Sequence, residues 1–270
     1  MRVVDFHVHA FPDELATKAI KQLCETFRVK PYSDGTIAGL RARMAVTGVS
    51  ASVVVPVATK PEHVRSINDW AARMSSDDVI CFGAVHPDCE SPENEIDRII
   101  SLGLKGIKLQ PDWQGCSVDD PKMTRIFGAA EGRLTVIVHA GEEIQPFPRV
   151  LSRPEAIRKI HDTFPNLRLV AAHMGGFRMW DEAKKHLVGT GVYFDTSYCP
   201  PEDLSDDDFL AMIMSHGVEK ILFATDHPFG DAEPDIPRLR NIGFTEDSLA
   251  DILHRNADKL LGVTTTDQWE

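Results

Sequence analysis

The chain has 270 residues, 43% hydrophobic and 26% charged, with a formal charge of −12. The acidic balance excludes an extended nucleic-acid surface, and no apolar run reaches the roughly 18 residues of a membrane span. Five scattered cysteines without a CxxC pair read as reduced thiols, and no secretory leader precedes the first strand, so the sequence predicts a cytoplasmic protein. Its expected partner is a small-molecule substrate, not nucleic acid or membrane, and a homo-oligomer is compatible with the composition.

The first element, "VVDFHVHAF" (3–11), reads as a strand. Alternation puts Val4, Phe6, Val8 and Ala10 on one apolar face and Val3, Asp5, His7 and His9 on the other. Seven further apolar runs follow. They are "SASVVVPVA" (50–58), "DVICFGAVHP" (78–87), "GLKGIKLQP" (103–111), "RLTVIVHAG" (133–141), "LRLVAAHMGG" (167–176), "GVYFDTS" (191–197) and "EKILFATDHP" (219–228). Most lack a polar alternation, as expected of strands covered on both sides.

Amphipathic helical stretches separate them, such as "PEHVRSINDWAARM" (61–74) and "SPENEIDRIISLG" (91–103). The last, "TEDSLADILHRNADKLLG" (245–262), starts on a Thr245 cap and stops at Gly262. Eight strand–helix repeats in one chain of this size predict an α/β fold, a single (β/α)₈ TIM barrel over residues 1–270. Residues 11–49 hold two helical stretches between the first two strands and are expected to cover the mouth as a lid.

A single histidine on a buried strand is usually a hydrogen-bonded core residue. His7 and His9 differ, because both rings point into one volume where protonating both is repulsive; a divalent cation resolves this. Other polar residues fall at strand ends: Lys108 on the fourth, His139 on the fifth, His173 on the sixth and Asp226 on the eighth. In a barrel these ends converge on the mouth where active sites are built. Imidazoles with a carboxylate suit Zn²⁺ or a similar ion, which polarises a carbonyl and activates water while a histidine or aspartate moves the proton.

The ordered set "DFHVHAF", "GIKLQP", "VIVHAG", "FPNLRLVAAHMGG", "VYFDTS", "ILFATDHPF" and "RNADKLLG" resembles the amidohydrolase superfamily. The resemblance is to the branch of metal-dependent hydrolases and decarboxylases that includes aminocarboxymuconate-semialdehyde decarboxylase. It implies that His7, His9, His139 and Asp226 hold a metal, expected to be one Zn²⁺, with His173 and Asp226 as catalytic residues and His173 as the base. Some superfamily members carboxylate a lysine on the fourth strand. For Lys108 the expectation is an unmodified amine that binds substrate; the alternative is a carbamate bridging two metals, with His139 and His173 on the second. The expected activity is hydrolysis of a small ester, lactone or amide by a metal-activated water. The alternative is decarboxylation of an unsaturated or aromatic acid, because the motif residues serve both. A histidinol-phosphatase-type phosphoesterase and an inactive metal-binding scaffold are weaker rivals.

Arg149, Arg153 and Arg178 follow the His139 and His173 strands and are candidates to grip a substrate carboxylate. Trp113, Phe147, Phe177, Trp180 and Tyr198 are candidate pocket walls. Asp5, one alternation step below His7, is a candidate to orient a ligand, and His86 a candidate to enter the site. His63, His161, His186, His216 and His254 are read as surface residues. His227 is expected to point away from the site, and Asp195 is read as structural.

Overall fold

The structure, a computed structural model, describes residues 1–144 and 147–263. The described strands are β1 (Val4–Val8), β2 (Ala51–Val54), β3 (Val79–Cys81), β4 (Gly83–Ala84), β5 (Gly106–Leu109), β6 (Thr135–Val138), β7 (Arg168–Ala171), β8 (Tyr193–Asp195) and β9 (Ile221–Leu222). They occupy the eight expected positions, the third being split around Phe82. Pairing is parallel throughout, in the orders β1-β2-β3 and β4-β5-β6-β7-β8-β9. The Phe82 amide donates to Val54 O at 2.8 Å across the split. At the other seam Phe6 N donates to Phe223 O, Asp226 N to His7 O and His9 N to His227 O, at 2.9, 2.9 and 2.6 Å. The two sheet edges therefore meet, and the architecture is the TIM barrel.

Helices alternate with the strands. They are α1 (Asp13–Phe27), α2 (Ile37–Thr47), α3 (Val64–Met74), α4 (Pro92–Ser101), α5 (Pro111–Gln114), α6 (Pro121–Ala130), α7 (Pro154–Thr163), α8 (Trp180–His186), α9 (Asp206–His216), α10 (Ala232–Asn241), α11 (Glu246–Ala250) and α12 (Asn256–Leu261). Proline opens α4 to α7, where a missing N–H costs nothing and the fixed φ suits the first turn. A π-helical turn, Asp251–Arg255, joins α11 to α12, so the expected 245–262 element is continuous, capped by the Thr245 side chain and ended by Gly262.

Two apolar layers hold the barrel. Val4, Phe6, Val53, Phe82, Ile137, Val170 and Leu222 share one cluster although they come from strands around the whole ring, so they fill the interior. Ile107, Leu109, Val136 and Val138 pack outward with Ile126, Phe127 and Ile157 of the helices. Gly106 is required by the inner layer, since a Cβ there would lie 2.3 Å from the Phe82 ring.

Strict alternation fails in β1. Val4 and Phe6 belong to the interior cluster, but Val8 and Ala10 belong to the outer one. The pairing with β2 shifts register between Asp5 and Val8; such an irregularity re-aims the side chains that follow it. It brings His7 and His9 to the mouth and leaves Asp5 outside the site. There Asp5 accepts from Thr225 N at 3.0 Å and Thr225 Oγ at 2.6 Å, and burial pushes its carboxyl up to about 8. Asp5 orients no ring, contrary to expectation.

Candidate active site

His7, His9 and Asp226 each present a donor atom within 4.8 Å of the other two. His9 Nε2 lies 3.0 Å from Asp226 Oδ1, and His7 Nε2 lies 3.5 Å from the same oxygen. Burial opposes ionisation of Asp226, but the His9 hydrogen bond and the His7 and His9 rings hold its carboxyl well below the usual range. His139 is one ring removed from this trio, its Nδ1 3.1 Å from His173 Nε2.

The partners of the rings fix where their protons sit. His7 Nδ1 donates to Asp195 Oδ2 at 2.9 Å, which leaves Nε2 as a lone pair. His173 Nδ1 donates to Ser197 O at 2.9 Å, and His139 Nε2 donates to Glu142 O at 3.0 Å. The lone pairs of His139 Nδ1 and His173 Nε2 then face each other. Burial, with the Lys108 charge second, lowers His7 to about 4 and His139 to about 3; burial, with His139 second, lowers His173 to about 4. All three rings are therefore neutral at pH 7, in the form that ligates a cation.

Asp195 organises this set and was not anticipated as a site residue. Its Oδ1 accepts from His173 N at 2.8 Å and from the Ser197 hydroxyl, while Oδ2 holds His7. Burial disfavours its charge, yet the His7 ring and its hydrogen bond keep the carboxyl well below the ordinary value. Its position two residues beyond inward-facing Tyr193 was the available signal.

Lys108 is buried beside the trio, its Nζ 3.1 Å from His7 Nε2. Burial lowers its ammonium to about 8, against the pull of Asp195 and Asp226. Two further polar residues were not anticipated. Glu143 accepts from Gln110 Nε2 at 2.6 Å and stands 3.5 Å from His139 Nε2. Burial raises its carboxyl to about 7 despite hydrogen bonds from Gln110 and Trp113.

His7, His9, Lys108, His139, Glu143, His173 and Asp226 line one end of a cavity of about 740 Å³, whose walls include Trp113, Phe177, Tyr198 and, unexpectedly, His63 and Arg73. Residues 11–49 divide: α1 lines the cavity, whereas α2 packs on the outer layer through Leu40 and Met44. None of the three expected arginines lines the cavity. Arg149 is exposed, Arg153 pairs with Glu182, and Arg178 pairs with Asp203 at 3.3 Å while lying 4.8 Å over the Phe177 ring. Each follows its strand closely in sequence, but acidic partners outside the cavity hold Arg153 and Arg178.

Trp180 instead donates to His173 O at 3.0 Å, and Phe147 touches Trp113 from outside the wall. His86 stays outside, accepting from Asp88 N, and His227 points away to Ser33, as alternation required. His216 is buried, not on the surface.

The sequence pattern of the amidohydrolases matches residues 4–263, and no curated protein matches significantly. Solved structures share the fold at low identity. One is 5-carboxyvanillate decarboxylase from Sphingomonas paucimobilis, 17% identical over 97% of this chain and 99% of that one, with a TM-score of 0.72. Another is a dihydroxybenzoic acid decarboxylase from Polaromonas sp. JS666 with bound manganese, 15% identical over 98% of each chain, TM-score 0.71. A third, 2,6-dihydroxybenzoate decarboxylase in complex with 2,6-dihydroxybenzoate, is 17% identical over 97% and 100%, TM-score 0.69. These neighbours overturn the expectation of a hydrolase: the names that recur are those of decarboxylases, the reading the sequence held second. The physical reason is that one set of histidines and an aspartate serves both chemistries, so the motifs could not separate them. With the match running from the first strand to the last helix, the chain belongs to the amidohydrolase family.

Proposed function

We propose that this protein is a metal-dependent decarboxylase of an aromatic or unsaturated carboxylic acid. The observation that carries the reading is the donor trio of His7, His9 and Asp226 at the head of a cavity lined by buried Lys108. Its support is the recurrence of decarboxylases among the solved relatives.

The residues fit a divalent cation on their own chemistry. His7 Nε2 is an acceptor lone pair because Asp195 takes the other nitrogen, here facing Lys108 Nζ at 3.1 Å, and the opposed lone pairs of His139 and His173 lie 3.1 Å apart in rings that burial keeps unprotonated. A cation relieves that opposition as a proton at neutral pH does not. His7, His9, His139 and Asp226 would hold one metal, which supplies positive charge to bind and polarise the oxygens of the acid. Zinc and manganese both tolerate such ligands.

The other steps belong to the chain. The unmodified Lys108 ammonium offers a compact charge to the substrate anion. As the bond from ring or alkene carbon to the carboxyl breaks, CO₂ leaves and its electron pair stays on carbon. That carbon must receive a proton, and His173 Nε2 and Asp226 are the atoms placed to hold and deliver it. Phe27 and Phe229, in edge contact at 5.2 Å, wall the site beside His9 and limit water. In this reading α1 serves as the lid and the substrate is a cytoplasmic carboxylic acid.

The test is a pair of variants in metal-reconstituted protein. His173→Ala retains the metal and loses about 10²–10⁴-fold in CO₂ release, whereas His9→Ala loses both. Equal metal loss in the two would make His173 a ligand and remove it as the proton carrier.

A further inference from the structure

The cavity is larger than the head group needs. At about 740 Å³ it falls in the range of sites that enclose drug-sized ligands, roughly 300–1,000 Å³. A single-ring acid would fill only the end occupied by the histidines and Lys108.

The remaining space lies between two helices. From α1, Leu15, Leu23 and Phe27 line it; from α3, Ile67, Trp70 and Arg73 do. Within each helix these residues recur at spacings of three, four or eight, so each set forms one stripe facing the cavity. Leu15 is 53% exposed, and Leu23, Phe27 and Ile67 are partly exposed, whereas Ala16 and Ile20 of α1 are buried. The chain thus leaves apolar surface of both helices uncovered toward one another. Glu14, Thr59, His63, Ser66 and Arg73 are exposed lining residues and give the cleft a polar rim. Charged groups lie at the metal-binding end and the rim, while the wall between them is apolar.

We propose that the substrate is bipartite: a carboxylic-acid head at the histidine cluster, carrying an extended apolar substituent that lies in the cleft between α1 and α3. This deepens the decarboxylase reading and rests on it only in taking a carboxylate as the head group. The apolar part removes Leu15, Leu23, Phe27 and Ile67 from water, and each buried methylene contributes about 0.8 kcal/mol, roughly a fourfold change in affinity.

The experiment measures binding of benzoate and a series of 4-alkylbenzoates, from methyl to hexyl, to manganese-loaded protein by calorimetry, with CO₂ release assayed in parallel. Affinity is expected to rise about fourfold per methylene over the first several carbons. Ile67→Trp and Leu23→Trp, which fill the cleft from opposite walls, should each flatten this slope relative to the variant's own benzoate affinity. Two variants are used so that misfolding of one, visible by circular dichroism, does not end the test. A flat series in the wild type, or a slope unchanged in both folded variants, would overturn the bipartite substrate. A steep slope abolished by the variants, with no CO₂ from any acid tried, would support the cleft and count against the decarboxylase reading alone.

Discussion

Asp195 has the widest reach of any single side chain in the site: one oxygen fixes the His7 proton on Nδ1, and the other holds the His173 backbone and the Ser197 hydroxyl. Groups that orient a metal-binding histidine typically contribute 10–100-fold in metal affinity. Asp195→Asn, which presents an amide donor or a weaker acceptor to His7 Nδ1, is expected to weaken metal binding by about that factor in a chelator competition. An unchanged affinity would reduce Asp195 to a fold residue. Lys108 carries a second prediction at this scale. Its Nζ lies 3.1 Å from His7 Nε2, so an unmodified amine and a single metal are expected. Metal analysis should give one equivalent, and intact mass should show no carbamate with or without bicarbonate. Two equivalents with a carbamate would reassign His139 and His173 to a second ion. His7, His9 and Asp226 were readable because their residue types are rare on buried strands. Glu143 and Gln110 were not, because a carboxylate and an amide just past strand ends look like ordinary loop polarity until the fold turns them inward.

The elements themselves were legible from their apolar runs, and so was their order. The facing of β1 was not. Alternation assumes an unbroken pleat, and the register shift between Asp5 and Val8 breaks it; it is a property of how β1 meets β2, with no local composition signal. In α9, His216 was read as surface because it sits in a helical pattern, yet its ring stacks on Phe194 with centroids 3.9 Å apart. Its Nε2 donates to Val192 O and its Nδ1 accepts from Gly189 N, which fixes a neutral ring. Burial lowers this histidine from 6.5 to about 4. Because the folded value lies below the unfolded one, the unfolded chain binds the proton first. The contribution to stability is full above about pH 6.5 and is lost as pH falls toward 4, up to roughly 3 kcal/mol. Urea midpoints between pH 7 and 4.5 should therefore fall less steeply in His216→Leu than in the wild type, although the variant starts lower. Parallel slopes would show that His216 is protonated without penalty.

At the scale of the molecule, closure through Phe6, His7 and His9 against Phe223, Asp226 and His227 explains why the first and last strands supply the donor trio. Residues more than two hundred positions apart in the chain are adjacent strand neighbours, so the donor atoms proposed to hold the metal are set by the same hydrogen bonds that complete the ring. This convergence followed from counting strands. The cleft between α1 and α3 did not, because the path of residues 11–49 depends on packing that no periodicity encodes: one helix took the mouth and the other the barrel wall. Among the described residues no helix is long and apolar enough to cross a membrane.

The central claim is that the bond broken joins carbon to a carboxyl group. It is tested most directly by incubating manganese- or zinc-loaded protein in D₂O with carboxyl-¹³C hydroxybenzoates and unsaturated acids. The account predicts release of ¹³CO₂, a product lacking that carboxyl group, and one deuteron on the carbon that bore it. A product that keeps the labelled carboxyl and instead gains a solvent oxygen at another bond would contradict it.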